Sequence, residues 1–123
     1  MKIFFDGGCR GDPGIMEIAV VAVGRTTIVP DLGPGTSADA EWLALLHAVE
    51  VALALGAGDV EFAGDSKLVV AQASGTLPCR RADLRDCLSE YSQRVAAIGR
   101  WRVRHVARSR NLAGIALARR HPR

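Results

Sequence analysis

The order of apolar runs along the chain limits the folds that it can adopt more than any other feature. The run KIFF at residues 2–5 ends at an Asp-Gly-Gly turn signal, so we expect a strand that carries Asp6 at its end. Residues 15–23, rich in Val, Ile and Ala, predict a second strand, and residues 25–30 predict a third after a reversal at Gly24. Together these strands predict an antiparallel meander.

The rest of the chain alternates between helical and extended patterns. A helix capped by Ser37 or Asp39 is predicted to stop at Gly56, because its apolar residues recur at helical spacing. The later elements are predicted as a strand at 60–63, helices at 66–73 and 82–98, a strand at 101–106 and a helix at 113–119. A meander followed by such units is typical of an α/β fold, and residues 1–123 suit one domain.

Charge is distributed unevenly along this chain. Residues 1–90 contain seven Lys or Arg and all thirteen acidic residues, whereas residues 91–123 contain nine Arg and no acid. The basic segment indicates a surface for a nucleic-acid phosphate backbone, and a solvated Arg-rich face explains it equally well. Charge alone therefore leaves nucleic-acid binding open.

Export and membrane insertion are not indicated. The N-terminus lacks the apolar run of a signal peptide, and the most apolar helical stretch, residues 42–55, is too short to span a bilayer. The three cysteines, Cys9, Cys79 and Cys87, have no CxxC spacing, so free thiols are expected rather than a disulfide framework or a zinc site. We expect a cytoplasmic protein that does not contact membranes.

Three acidic residues lie where the predicted elements could bring them together. Asp6 follows the first strand, Glu41 lies early in the first helix, and Asp65 follows the strand at 60–63. Clustered carboxylates repel one another unless a cation compensates, and hard oxygen ligands select Mg²⁺ or Mn²⁺. Each acid also has a structural explanation, as a turn residue, a helix first-turn acid or a helix cap. The pattern therefore predicts a metal site, with ordinary structural roles as the alternative.

Four stretches of the sequence carry a resemblance to a known family. They are FFDGGCRGDPG from residue 4, AEWLALLHAVEVALALG from residue 40, GDSKLVVAQASG from residue 64 and HVARSRN from residue 105. Together they resemble the ribonuclease H family, type 1, in the compact form without an extended basic handle. The resemblance covers nearly the whole chain. It implies a ribonuclease H-like fold, in which helices flank a five-stranded mixed sheet.

The resemblance also implies an activity and its residues. Members hydrolyse the RNA strand of RNA/DNA hybrids with Mg²⁺ or Mn²⁺, and Asp6, Glu41 and Asp65 resemble their metal-binding carboxylates. His105 matches a histidine that aids proton transfer or product release. Residues at positions of nucleic-acid contact are Gly7, Gly8, Cys9, Asp12, Ser37, Arg108 and Asn111. Asn111 also suits a cap or brace for the last helix, and a monomer is expected, with a dimer left open.

The sequence departs from the family pattern at the fourth carboxylate. Relatives read approximately N..AD.LA in the last helix, and the position of their Asp aligns with Ile115, which cannot bind a cation. A local shift does not supply the ligand, because no Asp or Glu follows Glu90. Asp12 and Ser37 also replace the asparagines that the family often has in its substrate loops, which predicts weaker binding in the usual register.

Three functions are compatible with Ile115. The first is an attenuated endoribonuclease in which Asp6, Glu41 and Asp65 hold metal. The second is an inactive homologue that binds nucleic acid through its basic C-terminal third. The third is an interaction module that keeps only the fold. The retained carboxylates argue against the third, because buried, unpaired acids are costly. We therefore expect a nuclease of low activity.

Overall fold

The computed structural model describes residues 1–11 and 13–120. Its strands are β1 (Lys2–Gly11), β2 (Gly14–Ala22), β3 (Arg25–Val29), β4 (Pro34–Gly35), β5 (Asp59–Gly64) and β6 (Arg100–His105). Its helices are α1 (Ser37–Ala54), α2 (Lys67–Ala73), α3 (Ala82–Val95) and α4 (Leu112–Arg120), with a short 3₁₀ helix at Arg108–Arg110. Within these ranges no helix is both long and apolar enough to cross a membrane.

The strands form one mixed sheet in the order β3-β2-β1-β5-β6. β1 lies at its centre, antiparallel to β2 and parallel to β5, and β6 adds a further parallel strand. The two-residue β4 pairs with β2 beside this path. The predicted five-stranded mixed sheet with flanking helices is confirmed. β4 was not predicted, because two residues cannot show a periodicity.

Alternating side chains of β1 separate two apolar layers. Ile3 and Phe5 are fully buried in the larger core, which they share with Trp42 of α1 and Tyr91 of α3. Phe4 points to the other face, where α4 packs over β1, β2 and β3. On this second face the side chains of β6 remain exposed, because α4 does not extend that far across the sheet.

The first strand is longer than its apolar run. Residues 6–11 continue the antiparallel pairing with β2, from Asp6 opposite Ala19 to Gly11 opposite Gly14. The prediction that Asp6 ends the strand is therefore wrong. Backbone pairing with the strongly apolar β2 carries β1 through its glycines despite their low strand propensity.

Two helix boundaries also differ from expectation. The cap of α1 is Thr36 rather than Ser37 or Asp39, since the Thr36 hydroxyl accepts a hydrogen bond from Asp39 N at 3.2 Å. The Asp39 carboxylate accepts one from Thr36 N at 2.9 Å, which completes a capping box. α3 ends at Val95 instead of residue 98, although Ile98 is still buried in the core.

Candidate metal and nucleic-acid site

The three carboxylates singled out in the sequence converge in the folded chain. Asp6 projects from β1, Glu41 from the beginning of α1, and Asp65 from the residue that follows β5. One oxygen from each lies within 4.8 Å of the others. Parallel pairing of β1 with β5 makes this possible, because it aligns the ends of two strands that are distant in sequence. The arrangement is a compact set of hard oxygen ligands.

A glycine allows Glu41 to approach β1. The N–H of Gly7 donates to Glu41 Oε1 at 2.6 Å. A Cβ on Gly7 would lie 2.2 Å from the carbonyl carbon and oxygen of Ala40, so any side chain there would displace the first turns of α1. Gly7 therefore acts in the structure as a close-approach residue that places the glutamate against the strand.

Asp65 is held by a buried asparagine. Asn111 is fully buried, and its side-chain nitrogen donates to Asp65 Oδ2 at 2.9 Å and to the Phe5 carbonyl at 3.0 Å. Its side-chain oxygen accepts from Ala113 N at 3.1 Å, which caps α4. Asn111 is not among the described residues that line the groove around the carboxylates, and the bracing role fits this geometry; its contact with nucleic acid stays a prediction.

Electrostatics at the cluster is dominated by burial and like charge. Burial, followed by the hydrogen bond with Asp6, raises the pKa of Glu41 well above its ordinary value. Burial and the charge of Asp65 also raise the pKa of Asp6, while the hydrogen bond with Glu41 and the charge of Arg108 oppose the rise. Without a compensating cation, Asp6 and Glu41 therefore hold protons more tightly than isolated carboxylic acids do.

The residues present fit a divalent cation. Glu41 Oε2 is buried and has no hydrogen-bond partner within the described part of the chain. A buried carboxylate oxygen without a partner is costly, and a cation bound there would satisfy it. Both the donor chemistry and the unsatisfied oxygen favour Mg²⁺ or Mn²⁺.

α4 approaches the cluster through Gly114, which the sequence reading did not single out. A Cβ at Gly114 would lie 3.4 Å from an oxygen of Asp6 and 3.4 Å from one of Asp65. Ile115, at the aligned position of the fourth carboxylate, is half-buried, and its N–H donates to the Asn111 carbonyl one turn earlier. Two adjacent positions of α4 thus face or flank the carboxylates, and neither carries a ligand.

A groove of about 1140 Å³ surrounds the cluster. Of the predicted nucleic-acid contacts, the groove is lined by Gly7, Gly8, Cys9, Ser37 and Arg108. The prediction for Asp12 lies outside the described residues. His105 is exposed at the end of β6, beside Gly64 in the strand register, and is not among the described residues that line the groove.

Arg81 also lines the groove and was not a predicted site residue. Its guanidinium lies 3.0 Å from Asp39 Oδ1 and also pairs with Asp83. It thereby connects the segment before α3 to the first turn of α1. No periodicity or motif signals such a contact, because it joins residues 42 positions apart.

Comparison with known proteins places this geometry in a family. Residues 4–121 match the family described as reverse transcriptase-like. Ribonuclease HI of Halobacterium salinarum is 35% identical over 120 residues, covering 94% of this chain and 60% of that protein. The chain therefore spans less than two thirds of the length of this curated relative.

Two solved structures are close in fold. The RNase H1 crystal structure from Halobacterium salinarum superposes with a TM-score of 0.85 at 30% identity, covering 94% of this chain and 92% of that one. The N-terminal RNase H domain of rv2228c from Mycobacterium tuberculosis gives a TM-score of 0.80 at 30% identity, with coverage of 94% and 93%. The whole mycobacterial protein, named Bifunctional protein Rv2228c, is three times longer than the matched region, which covers 33% of it.

Proposed function

Because the chain belongs to the ribonuclease H family, type 1, we propose that it is a metal-dependent endoribonuclease that hydrolyses the RNA strand of RNA/DNA hybrids. The observation that carries this proposal is the convergence of Asp6, Glu41 and Asp65 within 4.8 Å, together with a buried Glu41 oxygen that has no hydrogen-bond partner among residues 1–11 and 13–120. These three residues would hold Mg²⁺ or Mn²⁺. The bound cations would supply activation of a water and stabilisation of the leaving oxygen.

The chain's own residues position the reactants. Gly7 fixes the Glu41 carboxylate through its N–H, and Asn111 orients Asp65 from beneath. Gly8 has open space where a Cβ would stand, so a nucleic-acid strand can approach its backbone closely. Recognition of 2′-hydroxyl groups there by Gly7, Gly8 and Cys9 would distinguish RNA from DNA.

Charged and polar residues at the rim would complete substrate binding. Arg108 lines the groove and adds positive charge beside the carboxylates, and Ser37 offers a hydroxyl at the beginning of α1. His105 lies one strand away from the end of β5 and would assist proton transfer or product release. In this proposal Asn111 acts by holding Asp65.

We propose that activity is attenuated. Neither Gly114 nor Ile115 supplies the fourth carboxylate of the family, and the sequence contains no acid after Glu90. Loss of one ligand weakens a catalytic metal site, yet the substrate and water can complete a coordination shell. The same observation favours one alternative, a chain that binds hybrids through its Arg-rich C-terminal third without cleaving them.

Cleavage of an end-labelled RNA/DNA hybrid in Mg²⁺ and in Mn²⁺ tests the proposal. We expect slow, RNA-strand-specific cleavage that disappears in Asp65→Asn. Asp86→Asn is the matched control, because this aspartate is exposed on α3 and does not line the groove. Absence of product in either metal at high enzyme concentration would leave only the binding alternative.

The binding alternative makes a separate prediction. Affinity for the hybrid should survive Asp6→Asn and decrease steeply with salt, because it would depend on phosphate contacts. An affinity that does not respond to salt would exclude it. The single domain, the monomer and the cytoplasmic location expected from the sequence remain predictions.

A further inference from the structure

A group of cations occupies the part of the sheet that α4 leaves uncovered. Arg102 and Arg104 project from β6 beside Lys2 of β1, and all three contact Glu61 of β5. The side chains of Arg102 and Arg104 are 61% and 68% exposed, whereas Glu61 is 7% exposed. We call Lys2, Arg102 and Arg104 the cationic platform.

Glu61 holds the platform in place. Its Oε1 accepts from Arg102 Nε at 3.1 Å and from Arg104 Nη1 at 3.4 Å, and its Oε2 lies 3.6 Å from Lys2 Nζ. Arg102 Nη1 also lies 3.6 Å from Asp59 Oδ1. A guanidinium has five N–H donors, so these contacts leave several donors on each arginine for a further acceptor. Fixing the side chains in advance lowers the entropic cost of binding an anion.

The platform and the carboxylate cluster lie on the same face of the sheet. Arg104 is in register with Ala63, and Ala63 with Phe4, so Arg104 lies two strands from β1 on the face that also bears Asp6. Neighbouring strands are about 4.8 Å apart and residues along a strand rise about 3.3 Å, which puts the Cα atoms of Arg104 and Asp6 about 12 Å apart. Arg108, four residues after Arg104 in the chain, lines the groove.

From this arrangement we propose that the cationic platform binds the phosphate backbone of the duplex that extends beyond the cleavage groove. A separation of about 12 Å corresponds to about three to four phosphates of one strand, at about 3.4 Å of helix axis for each. Because the contacts are to phosphate, the platform does not distinguish RNA from DNA and adds affinity only for substrates long enough to reach it. The inference rests on the proposed function, since it assumes that the hybrid occupies the groove.

The test compares binding of hybrids of 6 and 20 base pairs, measured by fluorescence anisotropy in EDTA at several salt concentrations. The variant is Glu61→Gln/Arg102→Gln/Arg104→Gln, which removes two cations together with the buried acid and so leaves no unpaired buried charge. The control is Glu50→Gln/Arg85→Gln/Arg94→Gln, which changes net charge equally at exposed or half-buried positions of α1 and α3.

We expect the platform variant to bind the 20-base-pair hybrid about 10-fold more weakly, with a salt slope smaller by about 2, because each phosphate contact contributes about 0.9 to the slope. The 6-base-pair hybrid and the control variant should change by less than about 2-fold. Equal affinities of the platform and control variants for the long hybrid would overturn the inference.

A 20-base-pair DNA duplex separates this inference from the proposed function. Because phosphate recognition is independent of the sugar, the platform variant should lose affinity for DNA as it does for the hybrid, even if the chain cleaves nothing. Loss of affinity for the hybrid alone would contradict the inference. If the chain cleaves no hybrid but the platform variant still binds DNA more weakly than the control variant, the proposed function is refuted and the inference about the platform stands.

Discussion

Two glutamates with nearly the same solvent-exposed fraction have neighbours of opposite charge. Glu41 is 6% exposed and Glu61 is 7% exposed. Glu41 faces two acids and a backbone N–H, and burial, followed by the hydrogen bond with Asp6, raises its pKa. Glu61 also loses solvation by burial, but hydrogen bonds from Arg102 and Arg104 outweigh that loss and lower its pKa. Glu41 also lies deeper in the protein than Glu61, so depth and the sign of the neighbouring charges together set the direction of each pKa shift.

The difference in neighbouring charges indicates which of the two glutamates could bind a cation. Three cations of the chain already neutralise Glu61, so it has a structural role beneath an exposed basic surface. The cluster around Glu41 has a buried oxygen without a hydrogen-bond partner among the described residues. Within the same residues, no ion pair joins a Lys or Arg to Asp6, Glu41 or Asp65. A divalent cation would compensate the charge of the carboxylates around Glu41, whereas the charge of Glu61 is already compensated by the chain's own cations.

The largest expected effect is on metal binding, which should depend on Glu41 and not on Glu61. Glu41→Gln should weaken Mn²⁺ binding by at least about 100-fold, because it removes a charged ligand. Glu61→Gln should leave Mn²⁺ affinity within about 2-fold. Titration calorimetry measures both. A similar loss in the two variants would contradict the assignment of the metal site to Glu41.

Adding a carboxylate to α4 should increase the affinity of the carboxylate cluster for a divalent cation. We expect Ile115→Asp to raise Mn²⁺ affinity by about 10-fold and to increase hybrid cleavage, because ligand charge sets divalent affinity. Gly114→Asp tests the adjacent position, where a Cβ would contact both Asp6 and Asp65. Leu112→Asp is the control, since Leu112 is exposed in the same helix. An increase only in Gly114→Asp would assign the missing ligand to position 114.

Removing the acid beneath the platform should cost stability. Glu61→Gln should lower the free energy of unfolding by about 1–2 kcal/mol, less than for a fully buried pair because Arg102 and Arg104 are exposed. Glu41→Gln should lower it less or raise it, since it relieves repulsion. Urea denaturation in EDTA measures both, with Glu50→Gln as an exposed control. A larger loss of unfolding free energy in Glu41→Gln than in Glu61→Gln would contradict this prediction.

The smallest effect is the dependence of the Glu61 contribution on pH. A pKa that is lower in the folded state means that folding favours the ionised form, so this stability is present above the ordinary value of 4.5 and is lost as pH falls below it. The difference in unfolding free energy between wild type and Glu61→Gln, about 1–2 kcal/mol at neutral pH, should therefore shrink below pH 4.5. A constant difference from pH 3 to pH 7 would contradict the pairing.

Much of the fold followed from local patterns. The meander and the order of the later elements depend on periodicity and turn residues within short windows. One error occurred where strand pairing overrides local preference: β1 continues through its glycines because β2 pairs with it. The cap of α1 was misplaced within a local motif, since Thr36 and Asp39, three residues apart, form the capping box.

The sequence by itself determined which residue types are present: three acids in separate motifs, a basic C-terminal third and no acid beyond Glu90. Only the tertiary structure decided their partners. It placed Asn111 beneath Asp65, turned Gly114 toward the carboxylates and divided the arginines, with Arg108 at the groove and Arg102 with Arg104 around Glu61. The physical reason is that a carboxylate's state depends on charges and hydrogen bonds within a few ångströms, which packing of distant segments creates.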